Sequence, residues 1–155
     1  MKIIETKDVT TIRPLHAPWM QMMNGKEFGI MVDPGVAEER LRSILESGEG
    51  TILVAYKLDD DAEDVPVGFF AVISVPSFFG EQKIALELLW FALPNAMTAG
   101  PRLLKAAMRW TEEHGCSHLM LSGSRLSSDM HDKVCEFCEK VGAKPFETVY
   151  LLRVS

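Results

Sequence analysis

The sequence predicts an α/β (α+β) domain: a mixed, mostly antiparallel sheet of six or seven strands with helices on both faces. Three observations carry this. Apolar, β-branched runs follow one another at residues 51–58, 65–75 and 83–93, joined by short polar loops, which is the pattern of an antiparallel meander. The third run leads through a loop of small residues into a helix-patterned stretch and then a further short strand. That strand–helix–strand unit should close as a right-handed parallel crossover. Elsewhere apolar residues recur at helical spacing between capping signals.

The elements follow in order. Residues 1–11 read as a first strand and turn. Residues 12–30 carry no clean period; they are rich in Met (Met20, Met22, Met23) and hold His16, Trp19 and Phe28, a mixture that suits an irregular core or a pliable binding wall. Asp33 and Pro34 open a helix, because Asp caps orphan N–H groups and Pro needs no donor at the first helical position. Val36, Ala37, Leu41, Ile44 and Leu45 then share a face, and Gly48 ends the run. The acidic stretch 59–64 lacks the Gly and closing Glu of a calcium loop and reads as a solvated hairpin tip. Pro66 sits at a strand start, where it is tolerated. The run 83–93 is almost wholly apolar, so it should be buried on both faces or central in a sheet.

Pro101 begins a helix that reaches His114, with Leu103, Leu104, Ala107, Met108 and Trp110 on its apolar side and Gly115 as the stop. Residues 117–122 form a short strand. Ser127 or Ser128 caps the next helix, where Met130, Val134, Phe137, Cys138 and Val141 share a face before Gly142. Residues 146–154 read as a last strand. No repeat or linker divides the chain, so residues 1–155 are expected to form a single domain.

Composition narrows the function. The 155 residues are 47% hydrophobic and 25% charged, which excludes a disordered or low-complexity chain. Sixteen basic against 22 acidic residues give a net charge of −6, which argues against a nucleic-acid binder but not against an anion site built from backbone N–H groups. Three Cys make no disulfide framework, and no membrane or targeting segment is visible, so a reduced, cytoplasmic protein is expected.

The stretch that bears on chemistry runs from Ala85 to Leu104. A strand enters a loop of small residues that opens a helix, and free N–H groups at a helix start favour an anion. The loop is neither a P-loop, lacking Gly-Lys-Ser/Thr, nor a dinucleotide fingerprint, lacking GxGxxG. His114, Cys116 and His118, and His131, Cys135 and Cys138, contain zinc-ligand residue types. The two helical Cys lack the knuckle that presents such a pair, and no metal is expected.

In element order and in this stretch the chain resembles the GCN5-related N-acetyltransferase family, well over residues 36–155 and by order alone before that. The resemblance implies acetyl-CoA as co-substrate. Phe91, Ala92 and Leu93 would hold the pantetheine arm and the oxyanion. Asn95, Ala96, Met97, Thr98, Ala99 and Gly100 would stand where the family's Arg/Gln-x-x-Gly-x-Gly/Ala loop cradles pyrophosphate; only Gly100 keeps the pattern. Arg102 and Arg125 would lie near the phosphate end. In the family's Asn-x-x-Ala-x-x-Leu-Tyr-x-x-x-Gly helix, His131 stands for the Asn and Cys138 for the Tyr that protonates the leaving thiolate. Glu87, the lone charge in its strand, stands where several members carry the base that deprotonates the attacking amine.

The expected activity is acyl-CoA-dependent N-acylation of a small-molecule or protein amine, with the acceptor side around residues 19–28 and 144–148. No nucleic-acid or membrane partner is expected. A homodimer through the C-terminal strands is a family-level expectation. The degenerate loop and missing Tyr support an alternative: a non-catalytic CoA sensor or assembly module of viral type.

Overall fold

The computed structural model describes residues 1–23, 25–58, 64–96, 98–126 and 131–154. The acidic stretch 59–63, the helix cap at Ser127 or Ser128, Met97 and Met130 lie outside them. The chain divides into two compact units: residues 1–21 with 33–120, and residues 22–32 with 121–155.

The first unit is built on a sheet of five strands in sequence order: β1 (Lys2–Thr6), β2 (Glu49–Lys57), β3 (Val65–Pro76), β4 (Lys83–Ala92) and β5 (Cys116–Met120). The first four run antiparallel to their neighbours, and β5 runs parallel to β4. The meander and the parallel crossover pair therefore form as the pattern predicts. The strand number is five rather than six or seven. The difference lies at the C-terminus, where residues 146–154 form no ladder among the described residues. Their side chains are exposed, Leu152 at 82% and Val154 at 89%. High β-propensity makes a strand only where an edge pairs with it.

Both faces of this sheet are covered. On one, Trp19 of helix α1 (His16–Met22) meets Phe69 edge-on at 5.9 Å, and Phe69 lies 5.9 Å from Phe91. On the other, Phe70 and Trp90 lie 5.6 Å apart beneath the start of helix α4 (Ala99–Glu113), where Gly100 approaches the Trp90 indole. Successive strand residues face opposite ways, so Phe69 and Phe70 are both fully buried, each against a different layer. Complete burial of one such side chain contributes about 1.5–3 kcal/mol. Leu103, Leu104, Ala107 and Trp110 form the buried stripe of α4; Met108, expected on it, is 46% exposed. The helix starts two residues before Pro101, because no N–H in its first turn needs an intrahelical acceptor. Trp110 Nε1 donates to Glu5 Oε1 at 3.2 Å, which ties α4 to the edge strand.

The stretch without a period is three short helical pieces: a 3-10 segment (Val9–Leu15), α1, and in the second unit α2 (Gly25–Phe28). Val9, Ile12 and Leu15 recur every three residues, the 3-10 repeat, and all are buried. Helix α3 (Pro34–Ser47) is capped as predicted, with Asp33 Oδ1 accepting from Gly35 N–H at 2.8 Å. Its buried face holds Leu41, Leu45 and also Glu38, while Val36 and Ile44 stay largely exposed. Glu38 is buried because Arg13 grips it with Nε and Nη2 at 2.9–3.2 Å and Arg42 donates at 2.8 Å from the next turn. His16 Nε2 stands 3.7 Å from the same carboxylate.

The second unit contains α2 and helix α5 (His131–Lys140), closed by Gly142 at φ +95. None of the described α5 residues is fully buried; Val134, Phe137 and Cys138, expected on one face, are half-buried, and Val141 just after the helix is exposed.

The Arg13 hydrogen bond, then its charge and the Arg42 bond, hold the Glu38 carboxyl below its usual value of 4.5 against the opposing effect of burial. A depressed folded-state value gives stability that is fully present above the unfolded pKa and is lost as pH falls through the folded one. Glu38→Ala should therefore cost about 1–3 kcal/mol at neutral pH. In urea melts, the gap between wild type and variant should shrink as pH drops below 4.5. A pH-independent gap would disprove this account.

Candidate active site

The site is organised by the way β4 leaves β5. The parallel ladder joins Lys83, Ala85 and Leu86 to Cys116, Leu119 and Met120 and goes no further. β4 continues for six more residues, Glu87 to Ala92, paired with β3 alone among the described strands. At the fork the β3 register shifts: Ala71 faces Leu89 whereas Val72 faces Glu87, so Leu88 is an extra residue in β4. A bulge bends a strand and re-aims its side chains, and bulges are common beside active sites. Glu87 is half-buried, sits immediately before that extra residue, and is the first residue past the last β5 pair. The run is central in the sheet, between β3 and β5, as one of its two expected placements has it. It is not buried on both faces throughout: Ala85 and Phe91 are buried and the rest are half-exposed.

Beyond the bulge the backbone directions can be assigned. Leu93 N–H donates to Val67 O at 2.9 Å, so Leu93 and Val67 face each other as a hydrogen-bonded pair. Such pairs alternate with non-bonded ones. Phe91 with Phe69 is then bonded, and Ala92 with Gly68 and Trp90 with Phe70 are not. Non-bonded pairs lie closer, and a Cβ on Gly68 would stand 3.1 Å from Ala92 Cα, so glycine is required there. The Phe91 and Leu93 amides thus point into the β3 ladder. The N–H and C=O of Ala92, and of Trp90, point to the edge that β5 has left. Of the three residues singled out for the pantetheine arm, Ala92 directs its amide to the open side.

The following loop turns twice, with Ala96 N–H donating to Leu93 O at 2.9 Å and Ala99 N–H to Ala96 O at 2.8 Å. Asn95 and Thr98 are exposed, and Thr98 has ordinary right-handed dihedrals (φ −87, ψ −9), so its Cβ causes no strain. Ala99 is completely buried and anchors α4 in the core. Gly100 is half-buried, and an added Cβ would stand 3.8 Å from the Trp90 ring, an ordinary contact. Arg102 is exposed and donates from Nη1 to the Met1 carbonyl at 3.2 Å. Met97 lies outside the described residues.

Glu87 and the loop 95–102 belong to the first unit; Arg125, His131 and Cys138 belong to the second. Within the second, His131 contacts Cys135, its neighbour one turn on, and Cys138 is half-buried. Trp19, expected on the acceptor side, is a core residue with 5% exposure, whereas Lys144 to Thr148 are all exposed. No group of three or more His, Cys, Asp or Glu side chains converges as a metal site among the described residues. No described helix is long and apolar enough to cross a membrane. The fork in the sheet is the feature of the candidate site that sequence reasoning missed. Its signal was present in the unequal lengths of the apolar runs that form β4 and β5.

No protein-family model and no curated protein matches the chain. Solved structures do match it over nearly their whole length. An aminoglycoside acetyltransferase from an uncultured soil metagenomic sample is 15% identical with a TM-score of 0.68, covering 100% of both chains. A ribosomal-protein-alanine N-acetyltransferase from Brucella melitensis biovar Abortus 2308 is 16% identical with a TM-score of 0.67, covering 99% of this chain and 100% of that one. A GNAT family acetyltransferase from Staphylococcus aureus is 14% identical with a TM-score of 0.62 over the same shares. The order of strands and helices, the parallel fork after β4 and these whole-length similarities together give the chain the fold of the GNAT acetyltransferases.

Proposed function

We propose that the protein is an acyl-CoA-dependent N-acyltransferase that moves acetyl from acetyl-CoA to an amine by direct attack. The observation that carries the reading is the open edge of β4, where Ala92 presents backbone groups just before a loop that opens α4. An extended amide-bearing arm can pair with such an edge as a strand would, and a pyrophosphate suits the N–H groups and dipole of a helix start. Asn95, Ala96, Met97, Thr98, Ala99 and Gly100 would hold the phosphates. The small size of Gly100 and the exposed positions of Asn95 and Thr98 leave room for them. Similar structures that act on a ribosomal-protein alanine and on aminoglycosides support an amine acceptor, either a small molecule or a protein.

In this reading Glu87 takes a proton from the acceptor ammonium, since only the free amine has the lone pair needed for attack. The C–N bond forms at the thioester carbon, and the Ala92 N–H stabilises the oxyanion. The C–S bond then breaks, the attached nitrogen gives up its second proton to water, and the departing thiolate takes up a proton from water. Arg102 is engaged by the Met1 carbonyl, so the phosphates rest chiefly on backbone donors. A second reading, a CoA-binding sensor or assembly module without turnover, is favoured by the loop itself, in which Gly100 alone keeps the family pattern.

Calorimetric titration with acetyl-CoA should give micromolar binding; no binding at millimolar ligand would refute the proposal in both its catalytic and its sensor forms. Gly100→Ala should melt within about 2 °C of wild type, because its Cβ meets only ordinary contacts, and should bind acetyl-CoA about tenfold more weakly. Unchanged affinity would remove the loop from the site. In a thiol-release assay over an amine panel at neutral pH, Glu87→Gln should lower turnover more than tenfold with the fold intact. An unchanged rate would remove Glu87 from the chemistry, and binding without any release would leave the sensor.

A further inference from the structure

The second unit holds a nucleophile–base pair that the proposed transfer does not use. Cys135 and His131 are one turn apart on α5, a spacing that stacks side chains on one face. The Cys135 Sγ lies 3.7 Å from His131 Nε2 and 4.0 Å from Nδ1, within hydrogen-bond reach for sulfur. Gly123 closes over the pair. A Cβ at that position would stand 2.6 Å from the thiol sulfur and at ordinary contact distance, 3.5–3.6 Å, from the imidazole, so a side chain there would displace the thiol. Both residues are half-buried. The other two thiols sit elsewhere: Cys116 is 8% exposed and donates its S–H to Ser74 Oγ at 3.3 Å, and Cys138 is half-buried one turn further along α5.

We propose that Cys135 is a reactive thiol, activated by His131, that undergoes exchange with small disulfides. The imidazole accepts the thiol proton, and the thiolate attacks one sulfur of the disulfide. A new S–S bond forms at Cys135, the old S–S bond breaks, and the departing thiolate takes the proton from the imidazolium. Cys135 is oxidised and the small disulfide reduced, so the co-reactant supplies the oxidising equivalents. The consequence is a reversible modification site on α5, one turn from the position of Cys138.

The test is the reaction of the intact protein with the aromatic disulfide 5,5′-dithiobis(2-nitrobenzoate), followed by release of the coloured thiolate and peptide mapping of the mixed disulfides. One thiol should react in a fast phase, it should map to Cys135, and its rate should exceed those of Cys116 and Cys138 by about tenfold or more. Cys135→Ser should abolish that phase alone. His131→Gln should slow it about tenfold and leave the other two rates unchanged. The peptide map of the unsubstituted chain needs no variant to fold, so a fast phase at another cysteine, or three equal rates, overturns the proposal directly. So does a His131→Gln protein that reacts as fast as wild type.

Discussion

Strand β4 is required to satisfy two different ladders at once, and it does so over only half its length. Its antiparallel partner β3 follows it from Lys83 to Ala92, whereas its parallel partner β5 ends opposite Leu86. The antiparallel side tolerates the mismatch by admitting Leu88 as an extra residue. Everything in the candidate site descends from that constraint. The fork opens an edge with backbone groups to offer, the bulge places Glu87 at its vertex, and the loop beyond Ala92 must turn back to start a helix that covers the sheet.

The scaffold around the fork is held by interactions of two kinds. The sheet side rests on aromatic contacts split between the layers, Phe69 toward Trp19 and Phe70 toward Trp90, so neither layer can shift without disturbing the central strands. The helical side uses one buried carboxylate. Glu38 collects Arg13 from the 3-10 segment and Arg42 from its own helix, and this joins the two segments. A buried ion pair contributes little net stability when measured against an apolar replacement, but removing one partner is costly. Its value here is positional: it fixes the 3-10 segment, and through it Trp19, against the face that carries Phe69.

Much of the fold was legible in the residues because local signals agreed with the final packing. Asp33 and Pro34 announce the α3 start, Gly115 the end of α4, and the apolar runs with their short polar loops the antiparallel meander. What was not legible depends on distant partners. Val9, Ile12 and Leu15 have a three-residue period, too short a run to separate from a loop without the sheet they cover. Residues 146–154 have the composition of a strand, but a strand exists only with a neighbour to bond to. Arg102 reads as a phosphate ligand on the sequence alone, yet its nearest acceptor is the Met1 carbonyl, 101 residues away in the chain. The candidate site was legible in identity and not in direction. The loop and Glu87 stand out in the sequence, while the difference between Phe91, Ala92 and Leu93 is a matter of which way each amide points.

That difference also bears on the charge of the chain. A net charge of −6 counts against any ligand held by side-chain cations, and the structure adds that the nearby cation Arg102 already has an acceptor. Backbone donors are indifferent to both facts. An amide at Ala92 presents the same partial charge whatever side chain stands beside it, and a helix start keeps its dipole when Thr replaces Gly. The loop has changed at the positions where side-chain identity governs only space and flexibility, and it keeps glycine at 100, half-buried at the first turn of α4. A sequence pattern that scores residue types, on the proposed reading, registers degeneration even where the physical requirement is only donors with room before them. On the proposed reading, anion recognition here rests on main-chain geometry and so tolerates far more sequence change than a side-chain site would.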